Sequence, residues 1–197
     1  MTTVGLVLAA GAGRRMGGPK ALVRLTDGGP TLVETAVARV VAGGCDRVVV
    51  VVGAAADEVA ALVEVSGAQV VHARDWDEGM GASLRAGLAH LEGEGDDIAL
   101  VTLIDLPDVG AEVISRVLAR AVPEGRAALA RTAYDGVPGH PVAIGRDHWA
   151  AVIATARGDR GARDHLRATP HHLVECGDLA TGRDLDTTRD LDDLQRG

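Results

Sequence analysis

Residues 4–21 read Val4-Gly-Leu-Val-Leu-Ala-Ala-Gly-Ala-Gly-Arg-Arg-Met-Gly-Gly-Pro-Lys-Ala21. The first six residues form a short apolar run bounded by glycine, which predicts a buried strand. The glycine-rich part that follows allows sharp turns that bring backbone N–H groups close to a ligand, and Arg14, Arg15 and Lys20 add cationic donors. The stretch therefore predicts a strand that leads directly into a polyphosphate-binding loop.

Two well-known phosphate-binding motifs do not match this loop. The dinucleotide fingerprint needs glycine where Met16 stands. The P-loop needs lysine and then Ser or Thr directly after Gly18, where this chain has Pro19-Lys20-Ala21. The sequence thus disfavours both a Rossmann-type dinucleotide site and a P-loop.

Lys20 is the only lysine among 20 Lys and Arg residues, so arginine supplies nearly every other positive charge. An ammonium is a compact point charge suited to a moving phosphate, whereas a guanidinium is a planar fork. The alternative is that one lysine simply survives in an arginine-biased chain. Its place inside the glycine-rich loop favours a functional role.

Composition limits the remaining possibilities. The length of 197 residues fits one α/β domain spanning 1–197. A net charge of −8 disfavours nucleic acid or an anionic membrane as a partner, and scarce aromatic residues offer no stacking platform for single strands. The two cysteines provide no disulfide framework. The start of the chain lacks the pattern of a signal peptide, and no apolar run approaches 18 residues, which predicts a cytoplasmic protein.

Apolar segments of strand and helix type alternate along the chain. Strands are predicted at 4–9, 47–52, 69–72, 98–104, 127–134, 141–144 and 171–175, with a turn over 135–139. Helices are predicted at 32–41, 56–65, 83–91, 113–122, 146–156 and 161–168, and a short one in the acidic tail after 184. This alternation predicts a mostly parallel sheet with helices on both faces, and sites at the carboxyl ends of the strands.

The pattern Leu8-Ala9-Ala10-Gly11-x-Gly13-x-Arg15-Met16-Gly17-x-x-Lys20 resembles the signature of the MobA-like NTP transferase superfamily. The resemblance implies a three-layer, Rossmann-like nucleotidyltransferase fold of the glycosyltransferase-A type, with the loop wrapped around an NTP. Arg15 and Lys20 would then contact its phosphates. The nucleotide-binding residues implied are Leu8, Ala9, Ala10, Gly11, Ala12, Gly13, Arg15, Lys20, Gly79 and Ser83.

Two carboxylates are candidate metal ligands. Asp105 follows a buried strand, a position that suits Mg²⁺, and Asp105-x-Pro107 resembles the Asp-x-Pro of the molybdenum-cofactor branch of the superfamily. The alternative is a turn-forming aspartate before proline. Asp186 stands in a segment resembling the late Asp-Thr-Pro-x-Asp-Leu of that branch, which implies a second carboxylate near the metal. The alternative there is a helix cap at Thr187 or Thr188.

Three further segments extend the resemblance. Residues 78–87, with Gly79 and Ser83, resemble the segment beside the bound nucleotide, although an ordinary amphipathic helix would also explain them. The segments around His140 and Arg160 resemble parts of the molybdenum-cofactor cytidylyltransferases, and both side chains could hold an acceptor's phosphate. A turn histidine and a loop arginine without function are the alternative.

The reaction implied is transfer of CMP from CTP onto a phosphorylated acceptor of the molybdopterin type, with release of pyrophosphate. Lys20, Arg15 and Asp105 with Mg²⁺ would align and neutralise the reactants, and no general base is needed. The methyl group of Ala10, where guanylyl-transferring relatives have glycine, favours CTP over GTP. Two alternatives stay open: a nicotine-blue-type oxidoreductase, and a nucleotide-binding protein without turnover.

Overall fold

The computed structural model describes residues 1–196 of the chain, with side chains described up to Asp193. The strands are β1 (Thr3–Leu8), β2 (Arg47–Val52), β3 (Gln69–His72), β4 (Ile98–Leu103), β5 (Leu129–Tyr134), β6 (Val137–Gly145) and β7 (His172–Glu175). The helices are α1 (Leu32–Ala42), α2 (Ala56–Glu64), α3 (Met80–Glu92), α4 (Ala111–Ala121), α5 (Arg146–Thr155), α6 (Arg163–Ala168) and α7 (Thr188–Arg196).

The seven strands form one sheet in the order β3-β2-β1-β4-β6-β5-β7. Only β6 runs against its neighbours, pairing antiparallel with β4 and β5, so the sheet is mostly parallel as the sequence predicts. Because β1 and β4 are adjacent and parallel, with Leu8 paired to Leu103, the loops that follow them leave the sheet at the same edge.

Both faces of the sheet are covered, which explains the run of five valines in β2. Val50 and Val52 pack into a core with α1, α2 and α4, whereas Val49 and Val51 pack into a second core with α3 and α5. Alternate residues of a strand point to opposite faces, so a strand between two layers of helices is apolar throughout. The predicted α/β fold with helices on both sides is therefore confirmed.

The β5–β6 hairpin differs from its prediction. The turn is confined to Asp135 and Gly136, both with positive φ (50° and 78°), and β6 already begins at Val137. Proline is rare inside strands because it lacks an N–H, so Pro138 favours the prediction of a turn at a position that belongs to β6. The strand accommodates it where the β5–β6 register shifts, which places His140 in a strand and not in a turn.

The other element boundaries shift by a few residues, and α6 begins at Arg163, two residues after its predicted start. In the described part of the chain, no helix is both long and apolar enough to cross a membrane. The single domain and the cytoplasmic location stay predictions.

Candidate functional site

A cleft of about 480 Å³ opens at the edge of the sheet where β1 and β4 end. It is bounded by the glycine-rich loop after β1, by the end of β4, by the start of α3 and by the segment before α7. Its lining contains Leu8, Ala10, Gly11, Ala12, Gly13, Arg14, Arg15, Lys20, Trp76, Asp77, Gly79, Met80, Ser83, Leu103, Ile104, Asp105, Asp159 and Asp186. Most of the residues predicted to bind a nucleotide are in this set, and Ala9 is buried behind it.

Gly13 sets the shape of the loop. Its φ of +57° lies in the left-handed region, and a Cβ on it would lie 1.9 Å from the carbonyl oxygen of Gly18, so a side chain is excluded. The Gly13 carbonyl accepts hydrogen bonds from the N–H groups of Met16 (2.8 Å) and Gly18 (3.3 Å). Within the described residues, the N–H groups of Gly11 and Ala12 have no protein acceptor, which leaves them available to a phosphate oxygen.

Lys20 lies between two carboxylates. Its Nζ donates to Asp105 Oδ2 and to Asp186 Oδ1, at 2.7 Å in both cases, and Arg15 Nη1 lies 3.5 Å from Asp186 Oδ2. Burial alone would lower the pKa of Lys20, but the hydrogen bonds and charges of the two aspartates raise it above its ordinary value. The hydrogen bond from Lys20 in turn lowers the pKa of Asp186. The four residues predicted to act on phosphates and metal are thus brought together.

Asp105 keeps one carboxylate oxygen without a partner. Its side chain is 18% exposed, and among the described residues its Oδ1 is buried with no hydrogen bond. An orphaned carboxylate oxygen is costly unless a cation or donor reaches it. Asp184 adds a third acidic group nearby, and its pKa is raised by burial and then by repulsion from Asp105 and Asp186.

Hydrogen bonds of the backbone hold the two candidate metal ligands, Asp105 and Asp186, in position. Leu185 is 1% exposed and donates its N–H to the carbonyl oxygen of Asp105 (2.8 Å), which ties the segment before α7 to the end of β4. Asp190 accepts hydrogen bonds from the N–H and the hydroxyl of Thr187, both at 2.7 Å. The helix cap expected as an alternative at Thr187 is therefore real, and Asp186 is still free to contact Lys20.

Arg39 belongs to none of the sequence motifs, but it supports the site. From α1 its guanidinium donates to the carbonyl oxygens of Leu106 (3.2 Å), Pro107 (2.8 Å) and Val109 (3.3 Å). It thereby holds the loop that carries Asp105. Burial lowers its pKa, partly offset by the charge of Asp108.

The start of α3 forms the opposite wall. Gly79 has φ of +114°, and a Cβ there would lie 2.7 Å from the carbonyl carbon of Gly158, so only glycine allows this approach. Ser83 is 4% exposed at the bottom of the wall. Trp76, which was not predicted, adds an apolar surface to the lining.

His140 and Arg160 do not line this cleft. Both line a smaller neighbouring pocket of about 40 Å³, which also contains Arg131 and Arg163 and shares Leu8 and Met80 with the cleft. Burial, followed by repulsion from Arg131 and Arg163, lowers the pKa of His140 to about 4. The two predicted acceptor residues are therefore near each other and next to the cleft, His140 in β6 and Arg160 at the end of a short 3₁₀ helix (Gly158–Arg160).

Comparison with known proteins shows the family of this chain. The model of the MobA-like NTP transferase domain matches residues 5–174. The chain belongs to the MobA-like NTP transferase family. Within that family, it is 39% identical over 196 residues to a nicotine blue oxidoreductase of Paenarthrobacter nicotinovorans, covering 95% of this chain and 93% of that protein. It is also 32% identical over 155 residues to a molybdenum cofactor guanylyltransferase of Rhodobacter capsulatus, covering 78% and 68%.

A solved structure is similar over the full length. The Rv0371C protein of Mycobacterium tuberculosis H37Rv, crystallised as a complex with manganese, superimposes with a TM-score of 0.76 at 25% identity, covering 100% of both chains. The fold of this MobA-like chain is thus shared with a metal-binding structure.

Proposed function

We propose that this MobA-like chain is a nucleotidyltransferase that moves a nucleotidyl group from GTP onto the phosphate of a molybdopterin-type acceptor and releases pyrophosphate. The observation that carries the proposal is the placement of Lys20 between Asp105 and Asp186, at the mouth of the glycine-rich loop. A site for phosphoryl chemistry needs a polyphosphate cradle, a mobile cation and metal-binding carboxylates in one place. All three types of group meet in this cleft.

The chain's own residues would bind and orient the triphosphate. The free N–H groups of Gly11 and Ala12 face the cleft as donors, and Arg15 and Lys20 supply positive charge beside them. Such prearranged donors stabilise the charge that develops on the phosphates during transfer. The acceptor phosphate is already anionic, so no side chain has to remove a proton from it.

A divalent metal ion fits the acidic side of the cleft. Asp105 and Asp186 share a cation, and Asp105 Oδ1 has no protein partner in the described structure. One or two carboxylates with remaining positions for water and phosphate oxygens is the usual protein contribution to Mg²⁺. Bound there, Mg²⁺ would neutralise phosphate charge.

The choice of GTP replaces the CTP expected from the sequence. That expectation depended on the methyl group of Ala10 reaching the base, but Ala10 is only 4% exposed and offers little surface to the cleft. The relative with a named nucleotide, the Rhodobacter capsulatus protein, is a guanylyltransferase. The low exposure of Ala10 removes the argument for CTP, and the relative supports GTP.

Measuring pyrophosphate release tests the proposal. Purified protein would be incubated with GTP or CTP, Mg²⁺ and molybdopterin, and each component would be omitted in turn. We expect pyrophosphate only when nucleotide, metal and acceptor are all present, with GTP the better donor. No release above background with any nucleoside triphosphate would exclude the transferase.

A second candidate, a nicotine-blue-type oxidoreductase, is favoured by the 39% identity over nearly the whole chain. The loop argues against a nicotinamide dinucleotide, because Met16 stands where the fingerprint requires glycine. The two candidates differ in which ligand stabilises the fold. A ligand present at 100 times its Kd adds about 2.7 kcal/mol to the free energy of unfolding. Thermal unfolding with GTP and Mg²⁺, compared with NADH, therefore separates them.

A further inference from the structure

Two histidines face each other outside the cleft. His148 lies in the first turn of α5 and His165 lies in α6, and neither lines the cleft or the small pocket beside it. His165 Nε2 and His148 Nδ1 are 3.1 Å apart, and the centroids of the two rings are 5.2 Å apart. The proposed nucleotidyl transfer makes no use of this histidine pair.

A backbone carbonyl fixes the tautomer of His148. Its Nε2 lies 3.1 Å from the carbonyl oxygen of Ala127. A carbonyl oxygen only accepts hydrogen bonds, so Nε2 carries the proton and donates it. In the neutral ring, Nδ1 then has the lone pair, and it faces His165. Metal-binding histidines are held in the same way, with the other ring N–H donating to a carbonyl oxygen or a carboxylate.

His165 is suited to the same role. Burial, and then the charge of His148, lowers the pKa of His165, so its ring is neutral at pH 7. The neutral imidazole is the form that binds a metal ion. In the pair, Nε2 of His165 donates its proton to His148, but the neutral ring can carry that proton on Nδ1 instead. This change of tautomer makes Nε2 a second nitrogen ligand without any change in charge.

The spacing of the two nitrogens fits one tetrahedral metal ion. Zn²⁺–N distances of about 2.0–2.1 Å and a tetrahedral angle place two nitrogen ligands about 3.3 Å apart. The 3.1 Å between His148 Nδ1 and His165 Nε2 is close to this value. A metal ion can therefore replace the proton between the rings after a small rotation of the side chains, and α5 and α6 need not move.

The neighbouring carboxylates already have partners. Asp147 accepts a hydrogen bond from Arg126 and Asp164 accepts one from Arg160, both at 3.3 Å. Among the residues that the structure describes, no group of three or more His, Cys, Asp and Glu side chains is placed to hold a metal ion. The protein would thus supply two nitrogen ligands, and water would complete the coordination. Imidazole ligands suit Zn²⁺ and Cu²⁺, whereas Mg²⁺ and Mn²⁺ prefer oxygen.

We propose that His148 and His165 form a second metal site, separate from the cleft, that binds a divalent transition-metal ion such as Zn²⁺ or Cu²⁺. Helix α6 has six residues and buries one of them, Leu166. Helices this short depend on contacts with the rest of the chain. A metal ion bound to both rings would link α6 to the longer α5 and stabilise its position. The proposal is independent of the nucleotidyl transfer.

Electron paramagnetic resonance of Cu²⁺ tests the site. One equivalent of Cu²⁺ would be added to the metal-free protein at pH 7.5, in a buffer that does not bind copper. We expect a spectrum with hyperfine coupling to two nitrogens. His165→Asn removes one ligand and keeps a polar side chain, so the two-nitrogen pattern should be lost. His171→Asn, which removes a histidine outside the pair, is the matched control and should keep the pattern.

Thermal unfolding measures the link between the helices. A metal ion that binds only the folded state raises its stability, so Zn²⁺ should raise the Tm of wild type and of His171→Asn. The increase should be smaller in His165→Asn, and any increase that remains belongs to the carboxylates of the cleft, which this variant leaves intact. Mg²⁺ at the same concentration should not distinguish the three proteins.

The wild-type spectrum keeps the test valid even if a variant fails to fold. His148 also donates to Ala127, so His165→Asn is the less disruptive of the two possible substitutions. A wild-type Cu²⁺ spectrum without coupling to two nitrogens would overturn the proposal. A two-nitrogen spectrum that His165→Asn leaves unchanged would overturn it as well, because the copper would then be bound by other histidines.

Discussion

The cleft lies beside the small pocket lined by Arg131, His140, Arg160 and Arg163, which we call the arginine pocket, and the two differ in how their charges are paired. The cleft pairs its charges internally, with Lys20 held by Asp105 and Asp186 at 2.7 Å, whereas the cations of the pocket repel one another. The acidic members of the cleft lining are Asp77, Asp105, Asp159 and Asp186, against the cations Arg14, Arg15 and Lys20. With that balance, we expect a triphosphate to bind more favourably when further positive charge comes with it.

This contrast gives Lys20 a second role. Two of the three N–H donors of its ammonium are used by Asp105 and Asp186, so the ammonium can turn fully towards a phosphate only when another cation takes its place between them. A divalent metal ion is the suitable replacement, because both carboxylates would then bind an ion of higher charge. We therefore expect the cleft to bind a metal and a nucleotide together, and the predictions below test that expectation from the largest effect to the smallest.

Asp105→Asn should have the largest effect. The substitution keeps size and hydrogen bonding but removes the charge that would hold the metal, so kcat should fall on the order of 10³-fold. Excess Mg²⁺ should rescue the activity only in part. Steady-state pyrophosphate release across a Mg²⁺ titration is the measurement.

Asp159→Asn is the control for this prediction. It removes another carboxylate of the cleft lining that does not contact Lys20, and should change activity far less. An active Asp105→Asn enzyme with an unchanged Mg²⁺ dependence would place the metal elsewhere.

Lys20→Ala should lower kcat by roughly 10²-fold or more, because its ammonium would stabilise charge on the triphosphate. The same variant should bind Mn²⁺ more tightly than wild type when no nucleotide is present, since the ammonium no longer competes for the carboxylates. Calorimetry or electron paramagnetic resonance of Mn²⁺ measures this second effect. A kcat within threefold of wild type would contradict the role of Lys20 in transfer. Weaker Mn²⁺ binding would contradict competition between the Lys20 ammonium and the metal for the carboxylates of Asp105 and Asp186.

The low pKa of His140 should make the free energy of unfolding depend on pH. Its pKa is about 4 in the folded chain, against 6.5 as the ordinary value, so at pH 5 the unfolded state binds more protons than the folded state. Stability is therefore lost as pH falls from about 6.5 towards 4, and this one group accounts for about 2 kcal/mol at pH 5. Urea unfolding of wild type and His140→Asn at pH 8 and pH 5 checks it.

The variant should lose less stability than wild type between the two pH values. His171→Asn, which removes a histidine outside the arginine pocket, should behave as wild type does. Identical pH dependence of all three proteins would mean that burial and the charges of Arg131 and Arg163 do not lower the pKa of His140.

The same two regions show how far the sequence could predict the site. Lys20, Asp105 and Asp186 could be predicted because each belongs to a local pattern: a glycine-rich loop, a strand end before proline and a late acidic segment. Their meeting follows from the parallel pairing of β1 with β4. The alternation of apolar segments likewise predicts the sheet and its layers.

The arginines could not be predicted in this way. The guanidinium groups of Arg39 and Arg131 donate to backbone carbonyl oxygens of other segments. No sequence pattern indicates which arginine will have a backbone partner. Arg163 of α6 and Arg131 of β5 line the same pocket although they are distant in sequence. Because of Pro138, the start of β6 is predicted too late in the sequence. Only the pairing of β5 with β6 shows where the strand tolerates a proline.

The smallest effect concerns Ala10, which lies at the loop and belongs to neither charged cluster. A methyl group that faced the base would change the preference between GTP and CTP by about 10- to 200-fold. Ala10 is 4% exposed, however, and its carbonyl oxygen accepts from the N–H of Ala54 (3.0 Å), so the strand end is fixed with the methyl largely covered.

Ala10→Gly should therefore alter the ratio of kcat/KM for GTP and CTP by less than about threefold, because removing a covered methyl creates little new space for a purine. The measurement uses one acceptor and both nucleotides, on wild type and variant. Wild type should already prefer GTP. A shift of tenfold or more towards GTP in the variant would show that the methyl does contact the base, and the cytidylyl assignment expected from the sequence would then regain its support. An unchanged ratio would place base selection elsewhere in the cleft lining, where Trp76 and Ser83 are the next residues to substitute.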